Sequence, residues 1–349
     1  MILSVRSVSR LPKFSLSRGW ASAASTNYVN IMEVGPRDGL QNEKKAIPPA
    51  TKIELINKLA NAGLTRIEAG SFVSPKWIPQ MAGTVEVITQ VEHLPGVRYP
   101  VLVPNVKGLE NLLSVLSEHS TSSSPPPTDE VAVFIAATDA FSKANTNCTI
   151  VESLERTNQV VRLALEKGLR VRGYLSVVIA CPYSGPVDYR KVRDLTKELL
   201  DMGCYEVSLG DTTGVGNPHS ISEMLNTVIS TNSVGKLAGH FHDTYGMGVA
   251  NVMTALAAGI RTIDSSVGGL GGCPYSPGAT GNVATEDVLY ALKGSPYTAS
   301  GDLNKIANIG MWISNEVGRE NSSRVGKALH ARKLRQENLR EKENQKAKL

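Results

Sequence analysis

His240, Phe241 and His242 place two imidazoles at i and i+2, the spacing that puts both on one face of a β-strand while the phenylalanine faces the other. Paired imidazoles of this kind hold a metal ion once oxygen ligands join them. Asp38, in GPRDGLQNE, and Asn282, in the segment SVGGLGGCPYSPGATGNVATED from Ser266 to Asp287, offer a carboxylate and an amide oxygen. One carboxylate, one amide, two imidazoles and no thiolate suit Mg2+ or Mn2+ better than a structural zinc. They leave about two positions of an octahedron for substrate oxygens. Arg37 stays protonated and is no base; beside such an ion it can steady an oxyanion, or it can simply pair with Asp38 or Glu68.

Cys273 sits in a stretch with six glycines between Gly268 and Gly281. So much glycine does not pack a core and points to unusual dihedrals or to movement over a ligand. A phosphate cradle does not fit, because no Gly-Lys-Ser/Thr follows. A thiol with pKa about 8.5 is mostly protonated near neutrality and can hand a proton to a carbanion. As a nucleophile it would need a paired base, and the nearest histidines are already assigned to the metal.

These groups need a scaffold, and the chain supplies a periodic one. Short apolar or β-branched runs recur at 28–33, 65–69, 99–103, 130–136, 170–178, 205–210, 237–242 and 262–267, separated by helix-like patterns such as PATKIELINKLANAG. Strand then helix, eight times over about 250 residues, predicts an α/β fold of the (β/α)8 TIM-barrel type, with an open doubly wound sheet as the alternative. Barrel chemistry collects where strands end. Arg37, Asp38, Gln41 and Lys44 follow the first run, Glu68 ends the second and Asp211 follows the sixth. His240 and His242 end the seventh; Cys273, Asn282 and Glu286 follow the eighth.

Of the 349 residues, 41% are hydrophobic, enough for a large core. Four scattered cysteines without a C-x-x-C argue against a disulfide framework and for a reducing compartment. The net charge of +5 is concentrated at the ends: the first thirty residues carry four cations and no acid, and 327–349 carry eight cations against three acids. The middle is therefore mildly acidic, which disfavours a nucleic-acid partner. The Arg- and Ser-rich start reads as a mitochondrial transit peptide over 1–27. No apolar run approaches a membrane span. Ala347-Lys348-Leu349 resembles a peroxisomal address. The expected organisation is a barrel over 28–323 carrying a Ser/Pro-rich insertion at 117–130, followed by a basic C-terminal helical extension over 324–349.

Taken together, VGPRDGLQNE, SFVSPKWIPQM, SLGDTTGVG, HFHDTYG and the glycine-rich segment resemble the 3-hydroxy-3-methylglutaryl-CoA (HMG-CoA) lyase family from about Tyr28 to Ser323. Related synthases usually open with a T-L-R-D-G-E-Q type sequence, where this chain has Gly-Pro-Arg-Asp-Gly-Leu-Gln. The resemblance implies divalent-metal-dependent cleavage of a small CoA thioester to acetyl-CoA and acetoacetate, with Asp38, His240, His242 and Asn282 as ligands. It also implies Arg37 as enolate stabiliser, Cys273 as the mobile-loop cysteine, Glu68, Asp211 and Glu286 as supporting acids, and a homodimer in the mitochondrial matrix. His240 or a nearby carboxylate is the expected base, and Gln41 and Lys44 are expected to meet substrate or CoA phosphates. A synthase working on a 2-oxo acid and a non-catalytic barrel are the rival readings.

Overall fold

The computed structural model describes residues 27–119, 125–272 and 280–346. The proposed leader up to residue 26, residues 120–124 of the insertion, Cys273 and the terminal tripeptide lie outside them.

Eight parallel strands form the interior: β1 Tyr28–Glu33, β2 Gly70–Ser71, β3 Val101–Leu102, β4 Glu130–Ala136, β5 Arg170–Ser176, β6 Glu206–Asp211, β7 Leu237–Phe241 and β8 Thr262–Ser265. Neighbours pair in the order β1-β8-β7-β6-β5-β4-β3-β2. The ring closes through a parallel bridge from Glu33 to Ile67, backed by Glu33 N to Arg66 O at 3.0 Å and Glu68 N to Glu33 O at 2.9 Å. β2 and β3 are short; within the third run Pro100 has no N–H for the ladder, yet its carbonyl still receives Ala69 N at 2.8 Å. The TIM barrel expected from the eight runs is the observed fold.

Helices α1 Pro49–Asn61, α2 Thr84–Gln90, α3 Val106–His119, α4 Ile150–Glu166, α5 Tyr189–Met202, α6 Pro218–Ile229, α7 Gly248–Ala257 and α8 Thr285–Leu292 cover the strands. Their starts are chemically marked. Thr149 and Glu152 form a capping box on α4, and Asp188 and Asn217 accept first-turn N–H groups on α5 and α6. α5 shows the packing logic: Val192, Leu195 and Leu199 repeat at one-face spacing and are buried, and Gly203 at φ 113° ends the helix. Each such buried aliphatic side chain contributes about 1.5–3 kcal/mol.

Two further elements follow strand ends: a single π-helical turn, Gly35–Gly39, and a short helix, Asp139–Thr146, whose first turn is capped by the Thr138 side chain. After α8, Thr298–Ala299 pairs with Tyr28–Val29 outside the ring. α9 Leu303–Val317 then packs on the body, and α10 Arg324–Lys346 follows with Gly326 as its one buried residue among those described. Of the insertion expected over 117–130, residues 117–119 complete α3 and Glu130 opens β4, so that the described part of it, 125–129, leads into the N-terminal end of a strand, opposite the end where chemistry collects.

The barrel interior is unusually charged. Arg172 is fully buried and bonds Glu206 at 2.8 Å and Asp264 at 2.7 Å, while Glu130 accepts from Arg170 at 3.0 Å and from the Tyr205 hydroxyl at 2.5 Å. Such pairs are tolerable in a core because each charge is matched and hydrogen-bonded.

Candidate metal centre and active site

β1 leads directly into the Gly35–Gly39 turn, which carries Arg37 and Asp38 over the strand ends. β7 delivers His240 and, one residue past its end, His242; Phe241 points the other way and is buried outside the ring. The segment after β8 returns beside β7, where Asn282 bridges to His242. Gly271, at φ +126°, makes that return possible, since a Cβ there would fall 2.8 Å from Asn282 Nδ2.

Four side chains thus converge from the first, seventh and eighth strands. One ligand atom each from Asp38, His240 and His242 lie within 4.8 Å of one another. Asn282 donates Nδ2 to Asp38 Oδ2 at 2.8 Å and to Leu270 O at 3.2 Å, leaving its buried Oδ1 without a partner. His242 Nδ1 is also buried and unpartnered. Orphaned buried acceptors each cost about 1–3 kcal/mol, and a cation among them relieves that cost.

Charge states agree with such a site. Burial, then the nearby His240, pushes the His242 imidazole down to about 4 against the pull of Asp38, so it is neutral and offers a lone pair. Burial favours a protonated Asp38, but the Arg37 guanidinium, helped by the hydrogen bond from the Asn282 amide, outweighs it and holds the carboxyl below its ordinary value. His240 Nδ1 faces Asp264 Oδ2 at 3.2 Å. The donor set of carboxylate, amide oxygen and imidazole is the kind expected for a divalent cation.

Arg37 does both things its sequence context allowed. Its Nε and Nη2 reach Glu68 Oε2 at 2.7 Å, its Nη1 reaches Asp38 Oδ1 at 2.9 Å, and its guanidinium lies 5.3 Å from the centre of the Tyr174 ring. These bonds fix its plane and leave N–H groups for an oxyanion. Burial raises the Glu68 carboxyl despite the adjacent Arg37, and the Tyr174 hydroxyl donates to it at 3.2 Å.

A cavity of about 210 Å³ opens beside these groups, with Arg37, Asp38, Gln41, His240 and His242 on its polar side and Leu102, Phe134, Phe141 and Leu175 on its apolar side. Gln41 therefore meets the cavity. Lys44 does not: it is exposed on the loop beyond the lining. The three acids expected to support catalysis also lie off the lining. Glu68 acts on Arg37. Asp211 lies on the strand face opposite Ser208 and Gly210 and takes Gly216 N at 2.8 Å, with burial raising it to about 6. Glu286 takes Gly268 N on both oxygens, at 3.0 and 2.9 Å, and burial raises it to about 8. Asp211 and Glu286 thus brace loops rather than face the cavity.

Sequence reasoning missed Asp264, Tyr174 and Asn42. Asn42 Nδ2 donates to Gly272 O at 2.8 Å and joins the first loop to the glycine-rich segment. The signal for Asp264 was its position, two residues into the eighth strand and on the inward face, but a single acid in TIDSSV carries no motif.

Residues 28–313 match the HMGL-like family. The chain belongs to the HMGL-like family. The chain is 51% identical over 308 residues to hydroxymethylglutaryl-CoA lyase of Pseudomonas mevalonii, covering 88% of this chain and 99% of that protein. It is 48% identical to the mitochondrial hydroxymethylglutaryl-CoA lyase of Bos taurus, with 86% and 89% covered. The crystal structure of hydroxymethylglutaryl-CoA lyase from Pseudomonas aeruginosa superposes with a TM-score of 0.82 at 50% identity, over 88% of this chain and 98% of that one. This HMGL-like chain thus matches those proteins along nearly its whole barrel.

Proposed function

We propose that this chain is a carbon–carbon lyase that cleaves HMG-CoA to acetyl-CoA and acetoacetate, with Asp38, His240, His242 and Asn282 holding a divalent cation. The observation that carries the reading is the convergence of these four side chains beside a pinned Arg37, in a chain about half identical to proteins named for that activity. A bound Mg2+ or Mn2+ supplies Lewis acidity, lowering the pKa of the tertiary hydroxyl and neutralising the substrate carboxylate. Transfer of that hydroxyl's proton to a neighbouring carboxylate starts a retro-aldol cleavage between C2 and C3 that leaves the C3 oxygen as the ketone of acetoacetate. The electron pair of the broken bond passes to the thioester as an enolate, and Arg37 N–H groups left free by Glu68 and Asp38 can hold its oxygen. The enolate carbon then takes a proton, the role we assign to the Cys273 thiol.

The apolar wall of Leu102, Phe134 and Leu175 keeps bulk water from one side of the reacting carbon. We further propose that residues 1–27 direct the protein to mitochondria, that the terminal tripeptide is a second, peroxisomal address, and that the protein is a homodimer. No described helix is long and apolar enough to cross a membrane.

The test is an assay of the metal-stripped protein. Acetoacetate should form from HMG-CoA when Mg2+ or Mn2+ is restored and not in excess chelator. Consumption of acetyl-CoA with a 2-oxo acid, and no acetoacetate, would establish the synthase reading instead.

A further inference from the structure

On the sheet, His240 has Gly210 as its register partner on one side and Asp264 on the other. The glycine leaves room on the β6 side, and the carboxylate fills the β8 side. Asp264 has almost no freedom to move. Its Oδ1 takes Arg172 Nη2 at 2.7 Å, and its Oδ2 takes Arg172 Nη1 at 3.2 Å, the Ser208 hydroxyl at 2.7 Å and His240 Nδ1 at 3.2 Å. It is 1% exposed, and the guanidinium that holds it is itself pinned on Glu206 at 2.8 Å. A carboxylate with a cationic partner can only accept, so His240 Nδ1 must carry a hydrogen. In the neutral ring that a metal binds, the lone pair is then on Nε2. Edge contact with the Tyr174 ring, at 6.3 Å between centres, limits rotation of the imidazole from the β5 side.

We propose that Asp264, anchored by Arg172 and Ser208, is the positioning residue that fixes the ring orientation and tautomer of the His240 metal ligand. This inference rests on the metal-dependent reading above and adds a residue outside its ligand set. Outer carboxylates of this kind are worth about 10–100-fold in metal affinity, because a ring free to turn or to carry its proton on the wrong nitrogen must be reset on binding.

The test compares Mn2+ affinity by titration calorimetry in metal-stripped wild type, Asp264→Asn and Glu130→Gln. Glu130 is also 1% exposed and bonds Arg170 and the Tyr205 hydroxyl, away from Asp264 and its anchor. Asp264→Asn is expected to weaken Mn2+ about 10–100-fold. Glu130→Gln should lower the melting temperature and leave the affinity alone. Equal affinity in Asp264→Asn and wild type would overturn the proposal and leave the metal reading standing. Equal weakening in both variants would assign the effect to general damage to the buried network and also overturn it. A wild type that binds no Mn2+ would remove the metal reading and the proposal with it.

Should Asp264→Asn not fold, nitrogen NMR of Mg2+-loaded, histidine-labelled wild type decides the matter, with the His240 signals identified by their loss in His240→Gln. The Nδ1–H tautomer is expected, and an Nε2–H or doubly protonated ring would overturn the proposal.

Discussion

The Asn282 amide nitrogen lies 2.8 Å from Asp38 Oδ2, linking the segment after β8 to the turn after β1. The same bond orients the amide, so its other atom, the unpartnered Oδ1, can serve a cation together with the carboxylate. In the proposed centre Asp38 is thus both a charge for the ion and a brace for a second ligand.

Asp38→Ala should therefore weaken Mn2+ by more than about 100-fold, beyond the upper end of what outer partners cost. Titration calorimetry on the metal-stripped variant checks this, and binding within tenfold of wild type would show that the ion sits elsewhere.

Arg37 is held as a planar fork between two carboxylates, a geometry an ammonium cannot reproduce. Arg37→Lys keeps the charge beside Glu68 but loses the oriented donors, so kcat should fall about 10²–10³-fold. Thermal unfolding of the same preparation should shift little, which separates lost chemistry from lost fold.

Glu286 is raised from 4.5 to about 8 by burial. In this window the folded chain holds a proton that the unfolded chain has released. Its contribution to stability is therefore full below about pH 4.5 and declines as pH rises toward 8. Glu286→Gln cannot ionise, so its melting temperature should fall less than that of wild type between pH 5 and 8.5. Parallel curves from scanning fluorimetry would place the proton on another group.

α9 comes unusually close to the glycine-rich segment at Gly310, where a Cβ would fall 2.1 Å from Glu286 Oε1. Gly310→Ala should cost about 1–3 kcal/mol as the helix is pushed off the loop. Gly235→Ala is a control: the nearest atom to its Cβ is Ser233 Oγ at 4.0 Å, so its denaturation midpoint should match wild type.

Much of this molecule is legible in the chain because a barrel repeats one rule eight times. Short apolar runs between amphipathic helices gave the strand order, and polar residues at their ends gave Arg37, Asp38, His240, His242 and Asn282. What stayed hidden was of two kinds. Arg172, Glu206 and Asp264 sit inside strands whose other face is also buried, so no polar stripe separates an inward charge from noise; only the register shows that Asp264 lies beside His240. The supporting roles of Glu286 and Asp211 came from the resemblance and not from their spacing, and only the structure shows that their carboxylates accept backbone N–H groups of the loops. Burial and hydrogen-bond direction, rather than residue type, decide which acids face the cavity.

Glu33 accepts Gly35 N and Val267 N on Oε1, both at 2.9 Å, and the Thr285 hydroxyl on Oε2 at 2.6 Å. One carboxyl, fully buried, thereby fastens the start of the turn bearing Asp38 to both flanks of the segment bearing Asn282. The spacing between these two oxygen donors is set by the protein before any ion arrives. At the proposed centre an incoming cation would meet a nearly rigid chelate, so little chain entropy would be lost on capture, and selection among ions would fall to radius and dehydration rather than to loop rearrangement.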